Sequence, residues 1–168
     1  MADTDFTLTK EFLEKTFTYR DGLLIWRWLE CSNKRLMGLE AGSWSKQDRY
    51  KKVSINKQSY KVHRLIYFMH HAVMPKYIDH INGNTFDNRI ENLREATYSQ
   101  NNQNASIRKD STSKVKGVYF SKAANKWVAA CQVNKKRHHL GCFATIAEAE
   151  KVLKSFREQH HGEFARHS

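Results

Sequence analysis

Apolar positions in the first hundred residues come in short runs rather than long stripes. Residues 9–17, TKEFLEKTF, place Phe12, Leu13 and Phe17 at helical spacing. Phe17 to Tyr19 and Leu23 to Trp28 then flank Asp21-Gly22, a dipeptide that accepts positive φ and so closes a two-residue hairpin. YKKVSIN and SYKVHRL repeat the arrangement around Asn56 to Gln58. RLIYFMHHAV, residues 64–73, reads as a helix ended before Pro75, because a proline drives the residue ahead of it out of the α conformation. Further on, Tyr77 to Ile81 suits one strand, Asn82 to Asn92 a long loop and Leu93 to Ala96 the returning strand. A short helix follows, with Thr97 or Ser99 as its cap.

Periodicity stops at NQNASIRKDSTSK (102–114), where polar and basic residues take over. A basic polar linker over 105–113 would divide a domain at 1–104 from one at 114–168. Beyond it KGVYFSK, KWVAACQVN and KRHHLGCF alternate, joined by the turns Ala123 to Asn125 and Asn134-Lys135, which predicts a three-stranded antiparallel meander. TIAEAEKVLKSFREQ follows as a helix, with Thr145 and Glu148 as a capping box and Ala149, Val152, Leu153 and Phe156 on one face. That face must lie on the sheet. Alternation then turns Val118, Phe120, Trp127, Ala129, Cys131, Val133, His138, Leu140 and Cys142 inward. It leaves Tyr119, Ser121, Ala130, Gln132, Arg137 and His139 on a polar, basic outer face. The whole is an α+β chain.

Charge adds a partner to this picture. The chain carries 29 Lys plus Arg against 17 Asp plus Glu, a net +12, and residues 105–168 hold +8 of it. Between Arg108 and Arg137 nine basic residues stand against Asp110 alone, with Tyr119, Phe120 and Trp127 interleaved. Such a stretch is either a solvated basic face or a surface for a polyanion, and so large a self-repulsion is relieved by phosphates. With 40% hydrophobic residues, pervasive disorder is excluded. No window approaches a membrane span, and MADTDFTLTK lacks the regions of a signal peptide, so a cytoplasmic protein is expected. Cys31, Cys131 and Cys142 are too scattered for a disulfide framework and are expected as reduced, mostly buried thiols. The pairs His70-His71, His138-His139 and His160-His161 point to diverging sides and have no cysteine pair beside them, which argues against structural zinc.

Chemistry concentrates in YIDHINGNTFDNRIENLREATYSQNNQN, residues 77–104. Asp79-His80 and a series of asparagines ending at Asn101 are not core composition. Two readings apply. Asn-Gly-Asn and Asp-Asn are common turn formers, and an Asp-His pair is an ordinary surface hydrogen bond. The same residue types suit phosphodiester hydrolysis. The Asp79 carboxylate and an Asn101 amide oxygen would hold one hard cation, Mg²⁺ or Mn²⁺, with phosphate oxygens completing its shell. His80 titrates near neutrality and would deprotonate the attacking water. The Asn92 amide could tie the loop to the strand and hold the imidazole in one tautomer.

VHRLIY, IDHINGN, DNRIENLREAT and SQNNQN together resemble the HNH homing endonucleases of the ββα-metal class, in the phage type whose motif ends in Asn. The resemblance runs over about residues 15–104. It implies that His80 is the general base, that Asp79 and Asn101 bind the metal, and that Asn92 supports the loop. His63-Arg64 matches the family's HR pair, with His63 either approaching the site or packing. GVYFSKAANKWVAACQVNKKRHHLGCFATIAEAEKV, with HGEFA at 161–165, is similar to the Apetala-two DNA-binding domain, whose sheet lies in the major groove. That resemblance implies contacts from Lys116, Tyr119, Ser121, Gln132, Arg137 and His139. Several of these positions depart from the arginines and tryptophan of the plant pattern, so readout by Arg on guanine is reduced. The expectation is a monomeric, cytoplasmic DNA endonuclease of a phage-infected host. It would use one divalent cation and no small-molecule cofactor, and nick one strand of double-stranded DNA. The alternative is a non-catalytic DNA-binding regulator with the HNH-like module as scaffold.

Overall fold

The computed structural model describes residues 7–27, 34–44, 48–104, 107, 110–133, 136–161 and 164–165. Trp28, Cys31, the Asn134-Lys135 turn and parts of the linker and of HGEFA lie outside the described residues. The chain divides into two compact units, Met1–Glu95 and Ala96–Ser168, so the division falls ahead of the linker and groups the short helix after Ala96 with the second unit.

In the first unit, helix α1 (Lys10–Thr16) starts where the Thr9 hydroxyl accepts the Phe12 N–H at 3.1 Å. Strands β1 (Phe17–Arg20) and β2 (Leu23–Trp26) pair in register around Asp21 and Gly22, at φ 45° and 84°, the geometry that a right-twisted two-residue hairpin demands. Strands β3 (Lys52–Ile55) and β4 (Gln58–Lys61) form the second hairpin, with Asn56 and Lys57 both at positive φ. Helix α2 (Val62–His71) begins two residues ahead of the predicted start and ends as Ala72 turns left-handed at φ 56°, short of Pro75. Val62, Leu65, Ile66 and Met69 recur at i, i+3, i+4 and i+7 and are buried against Leu13, Phe17, Leu24, Val53, Ile55, Ile78 and Leu93. Strands β5 (Tyr77–His80) and β6 (Leu93–Ala96) pair across the asparagine-rich loop, as the sequence predicts. The core thus lies directly behind the strand that carries Asp79 and His80.

The second unit opens on helix α3 (Tyr98–Asn104), capped reciprocally by Thr97 and Gln100: the Thr97 hydroxyl accepts the Gln100 N–H at 3.2 Å, and Gln100 Oε1 accepts the Thr97 N–H at 2.8 Å. Strands β7 (Val118–Ser121), β8 (Lys126–Val133) and β9 (Lys136–Phe143) form the expected antiparallel sheet in that order. Helix α4 (Ile146–His161) packs on it, with the Thr145–Glu148 capping box formed in both directions. Val118, Ala129, Cys131, Ala149 and Leu153 make the core. Three inward assignments need correcting. The register shifts between Ala129 and Ala130, so Gly141 faces Ala129 while His139 faces Ala130. Leu140 is the extra residue, and its insertion moves Phe143 onto the core side and leaves Cys142 exposed. Phe120 lies against Trp127 at 5.1 Å but sits on an edge strand and stays 42% exposed, and Val152 is likewise exposed at the rim of its helix.

Candidate active site

Strand β5 and the loop after it converge on His80. Tyr77 is half-buried, and Ile78, Asp79 and His80 are buried in succession, so both faces of the strand are covered. This explains how two adjacent, oppositely directed side chains are both withdrawn from bulk water. The Asp79 carboxylate takes the Arg94 guanidinium from the neighbouring strand, with Nε and Nη2 each 3.0 Å from Oδ2. Nε makes the hydrogen bond, and Nη2 stands at ion-pair distance from the same oxygen. The His80 Nε2 lies 3.0 Å from Asn88 Oδ1. A carboxamide oxygen only accepts, so Nε2 carries the proton and Nδ1 keeps the lone pair, the arrangement a general base needs.

Asparagines build the loop. Asn92, buried beneath it, accepts the Asn82 N–H at Oδ1 (2.9 Å) and donates from Nδ2 to the Asp87 carbonyl at 2.7 Å. Asn82 and Asn84 each accept an N–H two residues on, and Asn82 donates to Asp87. The Arg89 guanidinium grips the Asp87 carboxylate at 2.9 and 2.8 Å and holds its carboxyl well below the usual range. Asn92 thus ties together two points of the loop, at Asn82 and Asp87, while the amide that meets the imidazole belongs to Asn88. Sequence reasoning passed over Asn88. Its signal was its place in DNRIEN, eight residues beyond the histidine, in a chain reversal short enough to bring it back.

Aromatic rings close the site from behind. His63, on α2, is buried and meets His80 edge-on with centroids 5.1 Å apart, so it both packs and approaches the site. Tyr50 stacks on His80 at 6.0 Å and lies against His63 at 4.7 Å. Burial pushes the His63 imidazole down to about 3, with repulsion from His80, Lys61 and Arg64 adding to it. Burial also lowers His80, against the opposing pull of Asn88, Asp79 and Asp87.

The sign of the pH effect follows. Between the unfolded value of 6.5 and about 3, the unfolded chain binds a proton at His63 that the folded chain refuses. The stability associated with neutral His63 is complete above pH 6.5 and drains as pH falls toward 3, by up to about 1.4 kcal/mol per pH unit. His80 acts in the same direction. The midpoint of thermal unfolding should fall steadily from neutral pH downward, and His63→Leu should flatten that slope; an unchanged slope would refute a neutral buried His63.

Asn101 stands on α3 in the second unit, where its N–H donates to the Thr97 carbonyl at 3.0 Å. Among the described residues, no group of three or more His, Cys, Asp or Glu side chains could hold a metal. The expected set is of another kind, one carboxylate and one carboxamide. Asp79 suits that role by chemistry: it is a buried carboxylate, and hard oxygen donors suit Mg²⁺ or Mn²⁺.

The sheet residues expected at DNA fall as follows. Pairing of Tyr119 with Val128, Ala130 with His139 and Gln132 with Arg137 sets Tyr119, Gln132, Arg137 and His139 on one face of the sheet, and Ser121 follows Tyr119 by two on the same strand. The Arg137 guanidinium covers the Tyr119 ring at 5.3 Å. Lys116 is committed to α3, where its ammonium donates to the carbonyls of Asn102 and Gln103 at 3.2 and 2.7 Å.

Comparison with known proteins agrees with the first unit's motif. Residues 60–103 match the HNH endonuclease family. Protein 3.8 of Escherichia phage T7 is 32% identical over 115 residues, which cover 66% of this chain and 94% of the phage protein. No solved structure matches. No helix among the described residues is long and apolar enough to cross a membrane.

Proposed function

This chain belongs to the family of phage T7 protein 3.8 and carries an HNH endonuclease domain, and from that premise we propose that it is a metal-dependent DNA endonuclease. It acts in the bacterial host cytoplasm and nicks one strand of double-stranded DNA per binding event. The observation that carries this reading is the buried His80, adjacent to Asp79, with Nε2 tied to Asn88 and its lone pair on Nδ1. His80 removes a proton from the attacking water, and Asn88 supports the positive charge that the ring then gains. Asn92 keeps the loop, and with it Asn88, in place on the strand. Asp79 would hold a divalent cation, and Asn101 would serve as its second ligand on the resemblance of the motif. Such an ion, when bound, stabilises negative charge developing at the scissile phosphate and its leaving oxygen.

The outer face of the three-stranded sheet supplies affinity. Support comes from the +8 charge of residues 105–168 and from the common face of Tyr119, Gln132, Arg137 and His139. Lys116 contributes by anchoring α3, and Ser121 by its place at the end of the edge strand. Arg137→Ala should weaken binding to duplex DNA uniformly across sequences and shallow its salt dependence by about one released counterion, measured by fluorescence anisotropy at several salt concentrations. An unchanged salt slope would move the contact surface elsewhere.

The decisive experiment incubates supercoiled plasmid with the protein in Mg²⁺, in Mn²⁺ and in EDTA. Conversion to open circles with either metal and none in EDTA is expected. Binding without cleavage under all three conditions would leave a DNA-binding regulator built on this scaffold.

A further inference from the structure

The hairpin β1–β2 precedes the matched HNH segment, yet it reaches the loop that holds His80. We propose that this hairpin is the positioning element of the catalytic base, acting on His80 through Asn88 by two contacts, at Gly22 and at Tyr19. The proposal rests on the nuclease reading above for its functional consequence, but its geometry stands apart from it.

Gly22 sits at φ 84° in the tip of the hairpin. A Cβ placed there would lie 2.7 Å from the Arg89 nitrogen and 2.9 Å from the Asn88 carbonyl carbon. The turn backbone therefore lies directly against the peptide that joins Asn88 to Arg89, and a glycine is required both by the dihedral and by the contact. Tyr19, on the strand leading into that turn, accepts the Ile90 N–H on its hydroxyl at 3.1 Å. One contact presses on the peptide that follows Asn88; the other pins the next residue along. The hairpin is itself fixed. Phe17 and Leu24 are buried in the core, and the Tyr19 ring meets His70 of α2 edge-on at 4.6 Å.

The consequence runs through one atom. A neutral imidazole has two tautomers, and its partner decides which nitrogen keeps the lone pair. Asn88 Oδ1 imposes Nε2–H on His80 from 3.0 Å. If the Asn88 backbone shifts by a few tenths of an ångström, that bond lengthens and the tautomers mix. Part of the His80 population then carries its proton on Nδ1 instead of Nε2. The hairpin's role is thus to set the tautomer and angle of a base that it does not touch.

The test uses the full-length protein with Tyr19→Phe, Gly22→Ala and Asn88→Ala, and Tyr60→Phe as a hydroxyl deletion away from the loop. Histidine ¹⁵N shifts, measured at about pH 8 where imidazoles are neutral and assigned by comparison with His80→Gln, report the tautomer without need of activity. In the wild type and in Tyr60→Phe, His80 should show the single Nε2–H pattern. The other three should show a mixture, with kcat for plasmid nicking lowered about tenfold or more and KM within about twofold. Tyr19→Phe preserves the ring packing, so it keeps the proposal testable if Gly22→Ala misfolds. Retention of the wild-type ¹⁵N pattern in folded Tyr19→Phe and Asn88→Ala overturns the proposal. If the tautomers respond as expected while the wild type cleaves nothing in any metal, the positioning stands and the nuclease reading falls.

Discussion

His80→Ala should leave a folded protein whose Mg²⁺-dependent relaxation of supercoiled plasmid is reduced by about 10²–10⁴-fold, the usual contribution of a positioned proton acceptor. The ring is buried, its Nε2–H is taken by Asn88, and burial lowers its pKa, which favours the neutral form that a proton acceptor requires. Removing it also leaves the Asn88 oxygen without its donor, at a cost of about 1–3 kcal/mol. Circular dichroism and thermal melting recorded beside the cleavage assay separate the two effects. His80→Gln, which fills more of the space, should recover stability without recovering rate. Equal nicking by wild type and either variant would remove His80 from the mechanism.

Asp79 is expected to fail in two ways at once. Its carboxylate lies in a pair with Arg94 whose side chains are 5% and 15% exposed. Asp79→Ala strands the guanidinium among buried groups and should cost about 3–5 kcal/mol of stability, read as a lower denaturation midpoint in urea. Asp79→Asn keeps the shape and an acceptor for Arg94, so more of the stability survives. Cleavage should nonetheless drop by about 10²-fold or more in both, because the loss of several kcal/mol of charge stabilisation at the phosphate is not repaired by an amide. Titration calorimetry with Mn²⁺ should show heat for the wild type and little for Asp79→Asn. A variant that nicks at the wild-type rate would place the metal elsewhere.

Much of the architecture was readable because each unit repeats a local rule. Asp21-Gly22 announces the first hairpin, Thr145 with Glu148 starts the last helix, and Pro75 marks the limit beyond which α2 cannot run. The strand that carries Asp79 and His80, and its loop, were legible for a different reason: these residues and the asparagines have no business in a core of this composition. What escaped reading depends on tertiary closure. Asn88 looked like one more turn-forming asparagine, and only the folded loop reveals which amide faces the ring. Gly22 read as a turn residue, which it is; its close approach to the Asn88 peptide involves a partner 66 positions away. The extra residue at Leu140 leaves the hydrophobic alternation of β9 intact up to that point and then reverses it, which is why Cys142 was assigned inward and lies outward.

The reciprocal cap at the start of α3 carries a last consequence. Thr97 and Gln100 lock the first turn by bonds made in both directions, and the Asn101 N–H closes onto the Thr97 carbonyl. A helix of seven residues has few internal bonds of its own, so the cap at Thr97 carries much of the hold on the turn from which Asn101 projects. Exchanging the Thr97 hydroxyl for a methyl would remove one of these bonds and loosen the footing beneath Asn101 while leaving Asn101 itself untouched.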